Sequence, residues 1–306
     1  MVRQPKPVKK RVAKLNGSPP AAAALMTFAV SCVAFDTIIV RMISAEIHPL
    51  QIAFFRNLFS LVAIMPWMLR LQLGALTSAR LPSHVARAAV KLGALICFFY
   101  AASMSPLATV TAIAFTSPLF VALGSVVILG EPFRFSRVLA LVLGLIGVLV
   151  VIRPGIVPFD AGILMAVISA IGLGAVGLLM KYLSSREEAV TVVSLNLLLT
   201  VPAALLLALP VWTMPSPANL ALMTVQGVLG GLSQLSVSRA MGMADASLLS
   251  PIEFLRLPLV VVLAWLLFQE VSDLWTLVGG AVIFSSSLIL VFGEWRSRSM
   301  LKGSRR

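Results

Sequence analysis

The sequence predicts an all-α polytopic membrane protein: ten transmembrane helices arranged as two inverted five-helix repeats. Three observations carry this expectation: apolar runs of spanning length, basic residues gathered in alternate joints, and self-similarity at an offset near 139 residues. Of the 306 residues, 59% are hydrophobic and 11% charged. Soluble domains carry about 25% charged residues, so an ordinary soluble fold is excluded. A net charge of +13 would fit a nucleic-acid binder if the cations formed one patch. They sit instead between apolar runs, the pattern of membrane topology, and no nucleic-acid partner is expected.

Taken in order, the runs lie near 22–42, 49–69, 86–104, 106–129, 136–153, 159–181, 190–210, 217–239, 245–268 and 272–293. Each approaches the ~20 residues that a helix needs to cross a bilayer. Pro49, Ser105-Pro106, Glu131-Pro132, Pro154-Gly155 and Pro215-Ser216-Pro217 punctuate the joints. The joints are short, so neighbouring spans run antiparallel and no soluble domain fits between them. With the N-terminus in the cytoplasm, the inner segments hold twenty Lys and Arg residues, Arg87 and Lys91 among them. The outer segments hold Arg41 and Arg153, and Arg56 and Arg256 fall within spans. The asymmetry places both termini in the cytoplasm of a multi-pass inner-membrane protein. Met1 to Leu15 is basic and lacks a small-residue cleavage site, so no cleavable signal is expected.

The repeat is read from matched residues: Arg41 with Lys181, Asn57 with Asn196, Met104 with Met243, Pro118 with Pro258, and Glu131 with Glu270. Their common order at nearly one offset is the signal. Five spans is an odd number, so the second half enters the membrane upside down, as in many secondary transporters. The expected organisation is a basic cytoplasmic tail over 1–20, a first repeat over 21–153, a second, inverted repeat over 159–293 and a basic tail over 294–306.

Charges inside spans are the candidate functional residues, because a charge at the centre of a bilayer costs at least ~2.5–3.5 kcal/mol. The stretch Ala244–Glu270 holds Glu253 and Arg256 between Pro251 and Pro258. Their i, i+3 spacing puts the two on one helical face, where each can neutralise the other. Asp36 and Arg56 both fall roughly 10 Å below the outer surface at 1.5 Å per residue and are expected to meet. The candidate substrate-binding residues are Arg56, Asn57, Glu253 and Arg256, with Glu253 and then Asp36 as candidates for coupling to protons. A purely structural ion pair is the competing reading for each acid. The fourth run carries Thr109, Thr111, Thr116, Ser117 and Pro118, a composition compatible with a cavity wall or with interhelical packing. Glu131 and Glu270 read as junction residues beside the start of the following helix. Cys32 and Cys97 read as packing residues, and His48 and His84 as separate loop-edge residues. No metal or other cofactor is expected, and no glycine-rich loop follows a strand.

The segments FFRNLF (54–59), SPLFVALGSVVILGE (117–131) and LPLVVVLAWLLFQE (257–270) resemble the EamA-type branch of the drug/metabolite transporter superfamily. The resemblance covers roughly 20–293. It implies an inner-membrane carrier for small metabolites, often an exporter, with a central cavity between the halves. The family usually reads Gly-Glu after the fourth and ninth spans; here the second copy is Gln269-Glu270.

The function expected is secondary active transport of a small polar metabolite, amino-acid-like or an organic anion, by alternating access, with export the expected direction. A larger vitamin or nucleoside-like cargo, such as riboflavin or S-adenosylmethionine, is the alternative. Phe54, Phe55, Phe98, Phe99 and Tyr100 are available to stack on a flat ring. A non-transporting scaffold or channel is the alternative class. An enzyme is not expected, since the spans hold no nucleophile with a base. The partners expected are a small-molecule substrate and the lipid bilayer; a homodimer stays open.

Overall fold

The computed structural model describes residues 19–69, 80–127, 135–153, 160–184, 187, 189–243, 252–253, 255–271 and 273–303. Among these the regular structure is helical, with no strand. The first half supplies α1 (Pro19–Ile43), α2 (Pro49–Met68), α3 (Leu81–Met104), α4 (Leu107–Ala114), α5 (Ser117–Val127) and α6 (Phe135–Ile152). The second supplies α7 (Ala161–Ser184), α8 (Ala189–Ala208), α9 (Pro217–Met243), α10 (Arg256–Phe268) and α11 (Leu274–Gly303). Six helices, α1, α2, α3, α7, α8 and α9, are long and apolar enough to cross a membrane; the others are shorter in their apolar part.

Local chemistry sets the ends. Pro49 and Pro217 open α2 and α9 at the position where a missing N–H costs nothing. Asp160 caps α7 by accepting from Ile163 N at 2.7 Å. Pro106 disfavours helical geometry at Ser105, which ends α3 in an extended conformation.

The fourth predicted run is two helices, not one. The chain turns at Phe115–Thr116, where Thr116 Oγ1 donates to the Ile113 carbonyl at 2.7 Å and Pro118 follows. The third run begins earlier than expected, at Leu81, and Arg87 and Lys91, counted with the inner segments, lie well inside α3. His84 is likewise no loop-edge residue: it is buried in α3 with Nε2 2.6 Å from Glu187 Oε2. Of the Ala244–Glu270 stretch, 244–251 and Phe254 lie outside the described residues, as does Glu131.

Packing joins the halves rather than closing each on itself. The helix α1 runs along α9, α3 along α7, α6 along α11, and α2 along both α8 and α9, while α10 packs on α1 and α4. Swapping the halves maps α1–α9 onto α7–α3 and α1–α10 onto α7 with α4 and α5, and returns α2–α8, α4–α10 and α6–α11 to themselves. On α9, Gly227, Gly230 and Gly231 face α2; a Cβ on Gly230 would meet the Arg56 guanidinium at 3.0 Å and Ser60 Oγ at 3.1 Å. Val142, Leu145, Ile146 and Leu149 stay exposed along α6, as do Val262, Trp265, Leu266 and Leu267 on α10. Apolar faces this broad suit lipid and not water.

One end of the bundle, here the upper end, gathers residues 44–48, 105–106, 153, 209–216, 269–271 and 273. Polar links there cross from one half to the other. Gln51 bonds the backbone of Thr213 in both directions, at 2.6 and 3.1 Å. Asn219 donates to Glu46 at 2.7 Å, and Ser105 to Asp160 at 3.1 Å. Arg153 pairs with Asp273 at 2.6 Å, and Arg41 with Glu270 at 2.9 Å. Arg41 also donates to the Ser103 carbonyl at the end of α3, at 2.8 Å. The other carboxylate oxygen of Glu270 accepts from Leu107 N at 3.1 Å. Glu270 therefore serves the start of α4 and not the helix that follows it, a correction to the sequence reading. The reason is Gln269, whose left-handed backbone (φ 55°, ψ 25°) turns Glu270 back toward α1 and α4.

Candidate functional site

Asp36 and Arg56 meet, as their depths predict. Arg56 Nε and Nη2 both donate to Asp36 Oδ2, at 3.0 and 2.8 Å. Both residues are buried, and Asp36 Oδ1 is left without a hydrogen-bond partner. A buried carboxylate oxygen in that state lacks an interaction worth ~1–3 kcal/mol. Asn57, beside Arg56, turns its amide nitrogen onto the Ala53 carbonyl of its own helix at 2.7 Å.

Arg256 opens α10 and reaches away from its own helix. Its guanidinium carbon lies 5.1 Å from the centroid of the Phe98 ring on α3, a cation–π contact. Its Nη2 lies 3.5 Å from Thr37 Oγ1 on α1, the outer limit of a hydrogen bond, and its Nε has no partner. Among the described residues no ion pair joins Glu253 and Arg256, and Glu253 is exposed. The i, i+3 spacing thus yields no direct ion pair, although each charge still acts on the other: Arg256 reaches Phe98 and Thr37 on the facing helices.

Gln226 completes the site and was not anticipated. Ser233 on α9 donates to the Ala29 carbonyl on α1, which fixes the register of these antiparallel helices. Asp36 and Gln226 each lie two turns above those residues and so at one level. Gln226 is fully buried, and neither of its amide atoms has a hydrogen-bond partner. Asp36, Arg56, Arg256 and Gln226 therefore place an unmet acceptor, unmet donors and an unmet amide in the middle of the bundle, drawn from both halves.

The aromatic candidates divide. Phe98 lies under Arg256, whereas Phe54 and Phe55 pack on Trp212 with ring centroids 5.8 and 5.5 Å away. Phe99 is buried in the apolar core, and the Tyr100 hydroxyl lies 3.0 Å from His48 Nε2. Thr111 is fully buried with its hydroxyl unpartnered. Two further cations escaped the sequence reading. Arg87 is buried and donates to the Val192 carbonyl at 3.1 Å, and Lys91 donates to Gln234 at 2.8 Å. The signal was available: His84, Arg87, Lys91 and Phe98 form one stripe at helical spacing along α3.

Known proteins can be set beside this geometry. The chain is 27% identical over 259 residues to an S-adenosylmethionine uptake transporter of Rickettsia prowazekii, covering 85% of this chain and 88% of that one. A riboflavin transporter of Rhizobium johnstonii is 32% identical over 248 residues, covering 80% and 81%. A pseudopaline exporter of Pseudomonas aeruginosa is 27% identical over 259 residues, covering 82% and 89%. A protein of known crystal structure superimposes with a TM-score of 0.65 at 17% identity, covering 91% of this chain and 99% of its own; that likeness concerns the fold. The EamA-like transporter family matches twice, over residues 21–153 and 160–292. Two family domains in tandem, helices of spanning length and a polar site between the halves lead to one conclusion: the chain belongs to the EamA-like transporter family, a group within the drug/metabolite transporter superfamily.

Proposed function

We propose that this chain is a secondary active transporter that moves a polar metabolite bearing an amino-acid-type head by alternating access. It crosses the inner membrane ten times, as two inverted repeats, with both termini in the cytoplasm. One observation carries the cargo class: Arg256 reaches Thr37, the residue beside Asp36, and Oδ1 of Asp36 and Nε of Arg256, of opposite charge, are both without a hydrogen-bond partner. An ammonium group satisfies the first and a carboxylate the second. Arg56 fixes Asp36 in position, with Asn57 bracing the same helix. S-adenosylmethionine, named for the Rickettsia relatives, carries such a head. Glu253, one turn before Arg256, is the coupling acid. The two make no direct ion pair but feel each other's charge across one turn, so a cargo carboxylate on Arg256 offsets that charge and eases protonation of Glu253; by reciprocity, a proton on Glu253 strengthens anion binding. In this orientation the upper end is periplasmic, and the state described is shut on that side.

A second reading, a flat vitamin-like cargo, is favoured by the riboflavin transporter relatives and by the Phe98 ring in the site. Purified protein in proteoliposomes, loaded with a pH dye and offered S-adenosylmethionine, free amino acids and riboflavin, separates the two. The expected result is counterflow of a zwitterion, reduced about 30-fold or more in Arg256→Gln, from ~2 kcal/mol or more for losing a buried charge partner. Glu253→Gln is expected to retain exchange and lose proton movement. Transport of riboflavin with none of the zwitterions would replace the first reading by the second.

A further inference from the structure

We infer that Arg87 and Lys91 on α3, with Gln234 on α9 and Asn196 on α8, form a second binding station, below the central site, for the oxyanion of a small solute, a carboxylate or phosphate. Lys91 sits ten residues inside α3, and the charges that act on it are the like charges of Arg87 and Arg56. Its bond to Gln234 crosses between halves, and among the described residues α3 and α9 share no extended packing. Lys91 and Gln234 are both half-buried. Arg87, one turn lower, has its Nε unpartnered and only the Val192 carbonyl as acceptor.

Asn196 supplies an independent sign. The helices α3 and α8 run in the same direction, so Asn196 is one turn above Val192 as Lys91 is one turn above Arg87. It occupies the sector of α8 between the face packed on Ile64, formed by Val193 and Leu197, and the carbonyl that Arg87 reaches. It is 1% exposed, and neither amide atom has a partner. Two adjacent cations and an unmet amide, with only neutral acceptors in contact, fit an oxyanion. Phe98 lies about 10 Å further up the same stripe, which sets the station on the path to Arg256.

The station is a binding property and does not require the cargo assignment, so its test needs no transport. In full-length Cys32→Ala/Cys97→Ala protein in phosphatidylcholine nanodiscs, Gln234→Cys is labelled with an anionic or a cationic methanethiosulfonate. Rates are normalised to a free thiol. The expected anion-over-cation preference is about tenfold, the effect of one nearby cation in a wet cavity. It should vanish in Lys91→Gln, survive in Lys91→Arg and fall in the presence of inorganic phosphate. Suppression by phosphatidylglycerol in place of phosphate would identify a lipid headgroup as the source of the same oxyanion. No labelling by either reagent, or a preference that Lys91→Gln leaves unchanged, overturns the station.

Discussion

At the upper end of the bundle each described junction is tied to the opposite half by matched groups, whereas in α3 the first turn reaches Glu187 through Arg80 and His84 and the next two cations, Arg87 and Lys91, meet a carbonyl and an amide. Arg41 has Glu270, Arg153 has Asp273, and Gln51 has the Thr213 backbone. Lys91 and Arg87 have Gln234 and Val192. Matched pairs hold an end shut, because separating them exposes charges and amides that must be solvated anew. Unmatched cations do the reverse: they persist within an apolar bundle only where water or a ligand reaches them. Under the proposed transport cycle the difference fits separate tasks, closure above and admission of a charged solute below, with Asp36, Arg56 and Arg256 between them.

The comparison breaks most sharply at its midpoint. Asp36→Asn leaves Arg56 buried without its carboxylate and should lower stability by about 3–5 kcal/mol, the cost of breaking a buried pair. Thermal unfolding in detergent reads this directly. Adding Arg56→Gln to Asp36→Asn should restore most of the lost stability without restoring transport; if transport returned, the pair would be a brace and not part of the site. A smaller effect is expected at the upper end, where Arg41 and Glu270 are partly exposed and worth ~1 kcal/mol as a pair. Arg41→Gln also loses the donor to Ser103, so the closed state should open several-fold more often. Labelling of Ser105→Cys by a membrane-impermeant maleimide measures that opening, and an unchanged rate would mean that the upper end is not held by this knot. The smallest effect concerns Gln269, a non-glycine residue in left-handed geometry. Gln269→Gly removes strain of ~1–2 kcal/mol and gives back part of it as unfolded-chain entropy, for a net rise of about 1–3 °C in melting temperature. A fall would show that the Gln269 side chain contributes more than its backbone strain costs.

What the sequence made legible follows from what depth and periodicity encode. Asp36 and Arg56 were readable because a helix advances 1.5 Å per residue, which puts both charges at one level of adjacent antiparallel helices. The left-handed geometry at Gln269 also gives physical sense to the glycine that the family usually has there. Spacing shows that Glu253 and Arg256 share a face but not what else lies within reach; Arg256 contacts Phe98 and Thr37, from the other half. Arg87 and Lys91 were counted with the inner segments although they fall within the predicted run 86–104, because charges at the end of an apolar run are read as its flank. Gln226 and Asn196 were out of reach for another reason. Uncharged amides carry no hydropathy signal strong enough to mark them, and their significance rests on which helix of the opposite half lies against them.

The glycine-lined contact between α2 and α9 has a mechanical consequence. Interlocked side chains act as teeth, and sliding one helix past another then requires climbing over them one turn at a time. Gly227, Gly230 and Gly231 present bare backbone to α2, so along this line α9 has no teeth. The surface works as a plain bearing, on which axial travel meets low friction while close contact resists separation. The Arg56 guanidinium rides on that bearing against Gly230. A methyl group added there, as in Gly230→Ala, would act as a detent, catching the guanidinium at one point of the stroke and slowing the turnover cycle without altering the charge of the site.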